Sequence, residues 1–415
     1  MTISRRSFLK TAGASVSVAL LPLSLRAQNA AGRVVVIGAG FGGGTAAKYL
    51  RLWSPGVQVT VIEPAASYYS CVLSNVYYPG VIELDFLQTP YTGLAGRGIE
   101  MIRDTAVHVD TGAHQVSLAG GGTVSYDKLV VAPGIDFLFP PGLDRQAAST
   151  QVPHAWNDVR EQAPLLRSML LAMPDGGTFV ETVPLAPYRC PPAPYERACM
   201  VAAYFRRAKP RSKVVILDAN PGIVAKPGTF RQAFDVTYAG LVEYYPGVSV
   251  VSVHPETRSI TTSAGTVQAG VLNVIPPQRA GEIAFAAGLV TDGRWVGVNS
   301  RTFESTAADD VFVVGDSNGS RAGKSGHFAN SEGKLVASAI GAQLAGEPEN
   351  PTPMLSNVCF SAITLEKASW FTNHMALSGG ALVAIPASVA ESPPTTDNFE
   401  DMFGWARNLW ADSLR

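Results

Sequence analysis

Residues 33–52 read RVVVIGAGFGGGTAAKYLRL, and the fold follows from how this stretch is parsed. RVVVI (33–37) is a short β-branched run, GAGFGGG (38–44) is a glycine turn, and TAAKYLRL has helical character. QVTVIE (58–63) follows as a second strand closed by an acid. Strand, glycine turn, helix, strand and acid in this order make the βαβ unit of a dinucleotide site. Gly38 allows the tight turn, Gly40 lets backbone approach a pyrophosphate, and Gly43 lets the helix pack near the strand. The helix N-terminus offers free N–H groups and a positive dipole to the phosphates. Glu63 is placed to accept hydrogen bonds from adenosine ribose hydroxyls.

This unit alone does not choose between FAD and NAD. VFVVGDSNG (311–319) does: it is a buried strand ending in Gly315-Asp316. It resembles the distal motif of two-dinucleotide-binding flavoproteins, which implies that Asp316 bonds a ribityl hydroxyl of FAD. YDKLVVAPGID (126–136) lies between, similar to that group's strand and turn near the exit from the FAD domain. The middle of the chain is expected to hold a second Rossmann-like domain, with KVVILDANP (213–221) as its second strand. Where a nicotinamide site needs glycines, however, the chain reads GGTFVETVPLAPYRCPPAPYERA (176–198). Prolines remove backbone donors and restrict φ, so this turn cannot cradle a pyrophosphate in the usual way. The electrons are therefore expected from a donor other than NADH.

The chain has 415 residues and 47% hydrophobic content, enough for two or three domains with large cores. A formal net charge of -1 without a basic run argues against nucleic acid as a partner. Arg5 and Arg6 stand in SRRSFLK, before TAGASVSVALLPLSL and small residues around Ala27. That order looks like a twin-arginine (Tat) signal, used by proteins that fold around a cofactor before export to the periplasm. Its removal takes Arg5, Arg6, Lys10 and Arg26 and no acid, moving the net charge from -1 to -5. No later run is apolar and long enough to act as a transmembrane anchor.

The cysteines are Cys71, Cys190, Cys199 and Cys359, too few for a disulfide scaffold and without a CxxC pair, so no metal site is expected. Cys190 lies in the proline-rich loop and Cys359 in MLSNVCFS, each in turn-rich context, while Cys199 in RACMVAAYF reads as a buried hydrophobe. At SYYSCVLSN (67–75), PYRCPPAPYERA (187–198), NVIPPQRAG (273–281), VVGDSNG (313–319), KSGHFANSEGK (324–334) and NVCFS (357–361), the chain resembles the flavoprotein subunit of flavocytochrome c sulfide dehydrogenase. The resemblance runs over essentially the whole length. It implies FAD bonded covalently through its 8α-methyl group to Cys71, an active disulfide between Cys190 and Cys359, and Glu196 near that site. It also implies hydrogen sulfide as substrate and a separate c-type cytochrome as acceptor, since this chain has no CxxCH to attach haem. Without the resemblance, Glu196 reads as a surface partner of Arg197 or Arg160.

The expected fold is α/β: two Rossmann-like dinucleotide-binding domains of the glutathione-reductase-like type and a C-terminal α+β domain. The expected divisions are a signal at 1–27, the FAD domain at 32–143 and 278–350, the second Rossmann-like domain with a degenerate NAD site at 144–277, and a third module at 351–415. The latter ends in FEDMFGWARNLWADSL, an amphipathic pattern with Phe403, Trp405 and Trp410, expected to pack on its own domain. Two other readings compete with sulfide oxidation to cytochrome. One is a sulfide:quinone oxidoreductase with a similar disulfide. The other is a catalytically silent flavoprotein serving as a binding subunit.

Overall fold

The computed structural model describes residues 32–415; the twin-arginine reading falls outside them. β1 (Arg33–Ile37) leads through the glycine turn to α1 (Phe41–Trp53), then β2 (Gln58–Ile62), β3 (Glu100–Ile102) and β4 (Lys128–Val131). A second unit contains β5 (Thr178–Val183), α2 (Ala193–Ala208), β6 (Lys213–Asp218), β7 (Val242–Pro246) and β8 (Val271–Val274). The chain returns with β9 (Val311–Val313) and α3 (Gly326–Ala345), and continues through β10 (Met354–Ala362), β11 (Ala368–Ser378) and α4 (Thr396–Leu414).

The first sheet has the order β9–β4–β1–β2–β3, every pair parallel. Val34, Val35 and Val36 are buried, as a parallel strand covered on both faces requires. The order places the C-terminal end of β1 beside those of β2 and β4, so the turns after these strands open on one edge. Helix α1 packs against α3, and a Cβ on Gly333 would stand 2.5 Å from Gly42 O. The second sheet, β7–β6–β5–β8, is also wholly parallel. The third part is the antiparallel hairpin β10–β11 with α4. This is the α/β architecture that the two strand–turn–helix patterns foretold.

Helix α4 buries Met402, Ala406, Leu409, Trp410 and Leu414, one stripe at helical spacing. The stripe packs on the chain's own FAD-type unit: Trp410 Nε1 donates to Ser70 Oγ at 2.8 Å, and Lys48 Nζ to Ala411 O at 2.9 Å. Among the described residues, no helix is long and apolar enough to cross a membrane.

Candidate active site

A cavity of about 690 Å³ opens at the C-terminal edge of the first sheet. Gly38, Gly40, Glu63, Cys71, Arg189, Cys190 and Asp316 all line it, so sites far apart in sequence meet there. Gly38 has φ +88°, and a Cβ on it would stand 2.5 Å from Ala132 O. A Cβ on Gly43 would lie 2.0 Å from Gly38 O, so helix and strand touch backbone to backbone. Gly40 caps α1 without a side-chain hydrogen bond, leaving first-turn amides free toward the cavity. Glu63 accepts from Ala39 N at 3.1 Å and Ala65 N at 2.9 Å, which fixes its carboxylate at the cavity wall.

Asp316 follows β9 in a single tight turn, Gly315–Ser317. Its Oδ1 is buried and has no hydrogen-bond partner in the protein. A buried unpaired carboxylate oxygen facing a cavity asks for a donor, and a ribityl hydroxyl supplies one. The residues present therefore fit FAD: glycine turn and helix N-terminus for the pyrophosphate, Glu63 for the ribose, Asp316 for the ribityl chain. Burial raises the Asp316 carboxyl while the charges of Arg189 and Lys324 draw it down. Glu332 beneath this turn accepts from Gly315 N at 2.7 Å and Asn318 Nδ2 at 2.9 Å, and burial pushes its carboxyl up to about 8.

In the second unit, the turn after β5 runs through Pro184, Pro187, Pro191 and Pro192 before α2 begins. Asp218, ending β6 where a ribose-binding acid would stand, is fully buried. It accepts from Tyr195 OH at 2.7 Å, Tyr244 OH at 2.8 Å, and the backbone and side-chain amides of Asn220 at 2.8 Å. Those donors saturate the acid from inside the protein.

The proline-rich loop instead reaches back to the first unit. Cys190 has φ +53°, and its N–H donates to Lys324 O at 2.7 Å. Lys324 Nζ in turn donates to Asp316 O at 2.9 Å. One lysine thus joins the cysteine loop to the aspartate turn. Cys359, on β10, donates from Sγ to Asn357 Oδ1 at 3.3 Å, and Val358 N donates to His327 Nδ1 at 2.8 Å. Ser325, the N-cap of α3, donates to the same Asn357 oxygen at 2.7 Å.

All four cysteines are free thiols in this structure, so the bond between Cys190 and Cys359 implied by the resemblance is not formed in it. The two thiols lie within each other's electrostatic reach. Burial pushes Cys190 well up, and Cys359, Cys71 and Glu196 push it further. Burial also raises Cys359, opposed by Lys226 and by hydrogen bonding with Asn357 and Ser325. Cys71 is half-buried with Tyr68 OH 4.0 Å from its sulfur. Cys199 is fully buried in α2, consistent with a packing role.

Glu196 is buried in the first turn of α2, not at the surface, and pairs with neither Arg197 nor Arg160. Its Oε2 accepts from Asn75 Nδ2 at 2.8 Å and its Oε1 from Ala362 N at 2.7 Å. It therefore ties together the segments that carry Cys71, Cys190 and Cys359. Burial raises its carboxyl against the pull of those two donors, Lys226 and Arg197. Arg197 shares Asn75 with Glu196, donating from Nε to Asn75 Oδ1 at 3.3 Å, and sends the rest of its guanidinium to Asn273 Oδ1 at 2.8 Å and His154 O at 3.1 Å.

Three site residues escaped sequence reasoning. Arg189 lines the cavity; burial opposes its charge, but Cys71, Asp316, Tyr68 and Cys190 favour it. Its position beside Cys190 in PYRCPP was the available signal. Asn75 and Lys226 gave none, because both act through contacts with distant segments.

Residues 163–276 match the family described as sulfide dehydrogenase (flavocytochrome c) flavoprotein chain, central. Residues 32–162 match the pyridine nucleotide-disulphide oxidoreductase family. The chain is 51% identical over 43 residues to a sulfide dehydrogenase (flavocytochrome c) flavoprotein chain from Chlorobaculum thiosulfatiphilum, covering 10% of this chain and 90% of that sequence. It is 22% identical over 296 residues to the mitochondrial sulfide:quinone oxidoreductase of Mus musculus, covering 68% of this chain and 65%, just under two thirds, of that one. Among solved structures, the sulfide:quinone oxidoreductase of Aquifex aeolicus superposes with a TM-score of 0.74 at 20% identity, over 92% of this chain and 91% of that one.

Proposed function

Because the chain belongs to the family of sulfide dehydrogenase (flavocytochrome c) flavoprotein chains, we propose that it oxidises hydrogen sulfide and passes the electrons to a c-type cytochrome. In this reading FAD is bonded to Cys71, Cys190 and Cys359 form the redox disulfide, and the protein works in the periplasm after Tat export. Flavin, when bound, supplies acceptance of two electrons together and their release one at a time. The observation that carries the reading is the convergence of Cys71, Cys190 and Asp316 on one cavity, with the Cys359 strand held to the helix after Cys190 by the Glu196–Ala362 hydrogen bond.

The chain's own part is thiol chemistry. Hydrosulfide is a soft nucleophile that attacks a disulfide sulfur, leaving a persulfide on one cysteine and a thiolate on the other. Glu196, buried between the cysteine segments with a raised pKa, holds and moves the proton brought by the substrate. Gly38, Gly40, Gly43, Glu63 and Asp316 hold the cofactor. The saturated Asp218 and the prolines after β5 support a donor other than a nicotinamide.

Anaerobic mixing tests this. Sulfide should bleach the flavin absorbance, NADH and NADPH should not, and Cys190→Ser and Cys359→Ser should each retain flavin but lose the sulfide response. Reduction of Cys190→Ser by sulfide at the wild-type rate would remove the disulfide from the mechanism. The similarity to sulfide:quinone oxidoreductases favours a second reading with quinone as acceptor. Turnover with a soluble quinone set against turnover with a c-type cytochrome separates the two.

A further inference from the structure

Lys226 is only 4% exposed, yet it takes part in none of the ion pairs among the described residues. Its Nζ donates to Ser369 O at 2.9 Å and Ser369 Oγ at 3.4 Å, two neutral acceptors. Its backbone is left-handed, φ +52° and ψ 50°, a conformation costly for any residue that carries a Cβ. A desolvated ammonium without a carboxylate in contact is expensive to keep. Such a group persists where a negative charge is to be met.

The hairpin shows where that charge arises. Ser369 pairs with Ser361 across β10–β11, and Cys359 pairs with Phe371 further along the same ladder. Cys359 and Ser361 share a face of β10, and Ser361 Oγ is buried without a partner. Glu196 grips the next residue, Ala362, through its amide. The charged and titratable groups within electrostatic reach of Lys226 are Glu196 and the buried Cys199 from α2, Cys359 from β10, Cys190 from the proline-rich loop and Glu391 from the strand beyond β11.

We propose that the Lys226 ammonium is the counter-charge for the sulfur anion formed on Cys359 when its bond to Cys190 opens. The inference rests on the disulfide reading above. Hydrosulfide gives an electron pair to the Cys190 sulfur and forms a new S–S bond. The Cys190–Cys359 bond breaks, and its electron pair stays on Cys359 as thiolate. The sulfide sulfur is oxidised to the persulfide level, the disulfide is reduced, the proton remains on the terminal sulfur, and the single negative charge is conserved. A thiol that leaves as the better-stabilised anion leaves faster, so Lys226 also directs the attack to Cys190. Lys226 is thereby a positioning residue acting through Cys359.

The test needs neither sulfide nor an acceptor, so it can fail independently of the proposed activity. The flavin-loaded protein is reduced with a phosphine, alkylated with iodoacetamide from pH 6 to 10, and the Cys359 and Cys190 peptides are quantified by mass spectrometry. In wild type, Cys359 should react with a lower pH midpoint than Cys190. Lys226→Met and Lys226→Gln should raise the Cys359 midpoint, slowing its alkylation at pH 8 by about tenfold, the scale of one opposite charge nearby. Lys226→Gln keeps a donor for Ser369, and Lys226→Arg should restore the wild-type profile. A Cys359 midpoint unchanged in both neutral variants with native flavin spectra overturns the proposal. If neither neutral variant folds, a wild-type Cys359 midpoint at or above that of Cys190 overturns it equally.

Discussion

Asn75 donates its side-chain amide to the Glu196 carboxylate at 2.8 Å, joining the segment of Cys71 to the helix that follows Cys190. Both Glu196 oxygens accept, the second from Ala362 N. Glu196→Gln replaces one acceptor by a donor, facing one N–H with another and leaving it unpaired at a cost of about 1–3 kcal/mol. Because burial raises the Glu196 pKa, a role as base requires pH above the ordinary carboxylate range. With the hydrosulfide concentration held constant at each pH, sulfide-driven flavin bleaching should rise with pH on an acid limb that Glu196→Gln abolishes. A variant that keeps the limb and loses only thermal stability would reduce Glu196 to a structural tie.

Covalent attachment at Cys71 is the simplest expectation to check. Acid precipitation should leave the yellow colour with the polypeptide, and digestion should yield a Cys71 peptide heavier by the flavin. Cys71→Ala should still bind FAD through the remaining cradle but release it on precipitation. An unmodified Cys71 in flavin-replete wild-type protein would sink the assignment.

Gly43→Ala probes the cradle itself. The added Cβ would meet backbone, Gly38 O, at 2.0 Å, and neither chain segment can yield without moving β1 or α1. Overpacking of this kind costs about 1–3 kcal/mol, with backbone contacts at the upper end. Thermal melting should show that loss together with reduced flavin content. Full flavin content and an unchanged melt would show that the turn can relax.

Glu181 gives the fold a pH dependence. Both its oxygens are buried without hydrogen-bond partners, the nearest cation being Arg197 Nη1 at 3.8 Å. Burial pushes its carboxyl up to about 8, against the pull of Arg197. A carboxyl raised in the folded state contributes stability that is complete below the unfolded value and lost as pH rises through the folded one. Glu332, also raised to about 8, acts with the same sign. The melting temperature should therefore fall as pH rises toward about 8, most steeply above about pH 6.5, where the opposing contribution of the buried His154, lowered to about 3, is complete. Glu181→Gln should make that fall shallower, most clearly above about pH 6.5, because His154 opposes it at lower pH. Glu332, Glu196 and Asp316 keep the remainder. An undiminished slope would mean that Glu181 is ionised throughout.

The parts of this site that were legible lie in contiguous strings. The glycine turn after β1 is local backbone geometry, and Gly315-Asp316 follows a strand whose burial its composition announces. What sequence adjacency misjudged was Glu196. Neighbouring helix residues point about 100° apart, so Arg197 leaves toward Asn273 while Glu196 faces Ala362. Lys226 was invisible for a related reason: only the pairing of β10 with β11 brings Ser369, its acceptor, beside the Cys359 strand. The loss of a free acid at Asp218 was equally a tertiary event, made by tyrosines from α2 and β7.

The contact between Trp410 and Ser70, beside Cys71, bears on when the cofactor can be secured. Chains emerge from the ribosome N-terminus first, and domains fold as units when their parts are present. Here the glycine turn is made early, but Asp316 and the helix packed on the Cys71 segment come from the last third of the chain. A nascent chain stalled before β9 holds half a cradle and a Cys71 segment without the helix that packs on it. The cradle is thus whole only when the last third of the chain has folded onto the first, and a truncation before α4 takes away the support of the Cys71 segment even though it leaves the glycine turn intact.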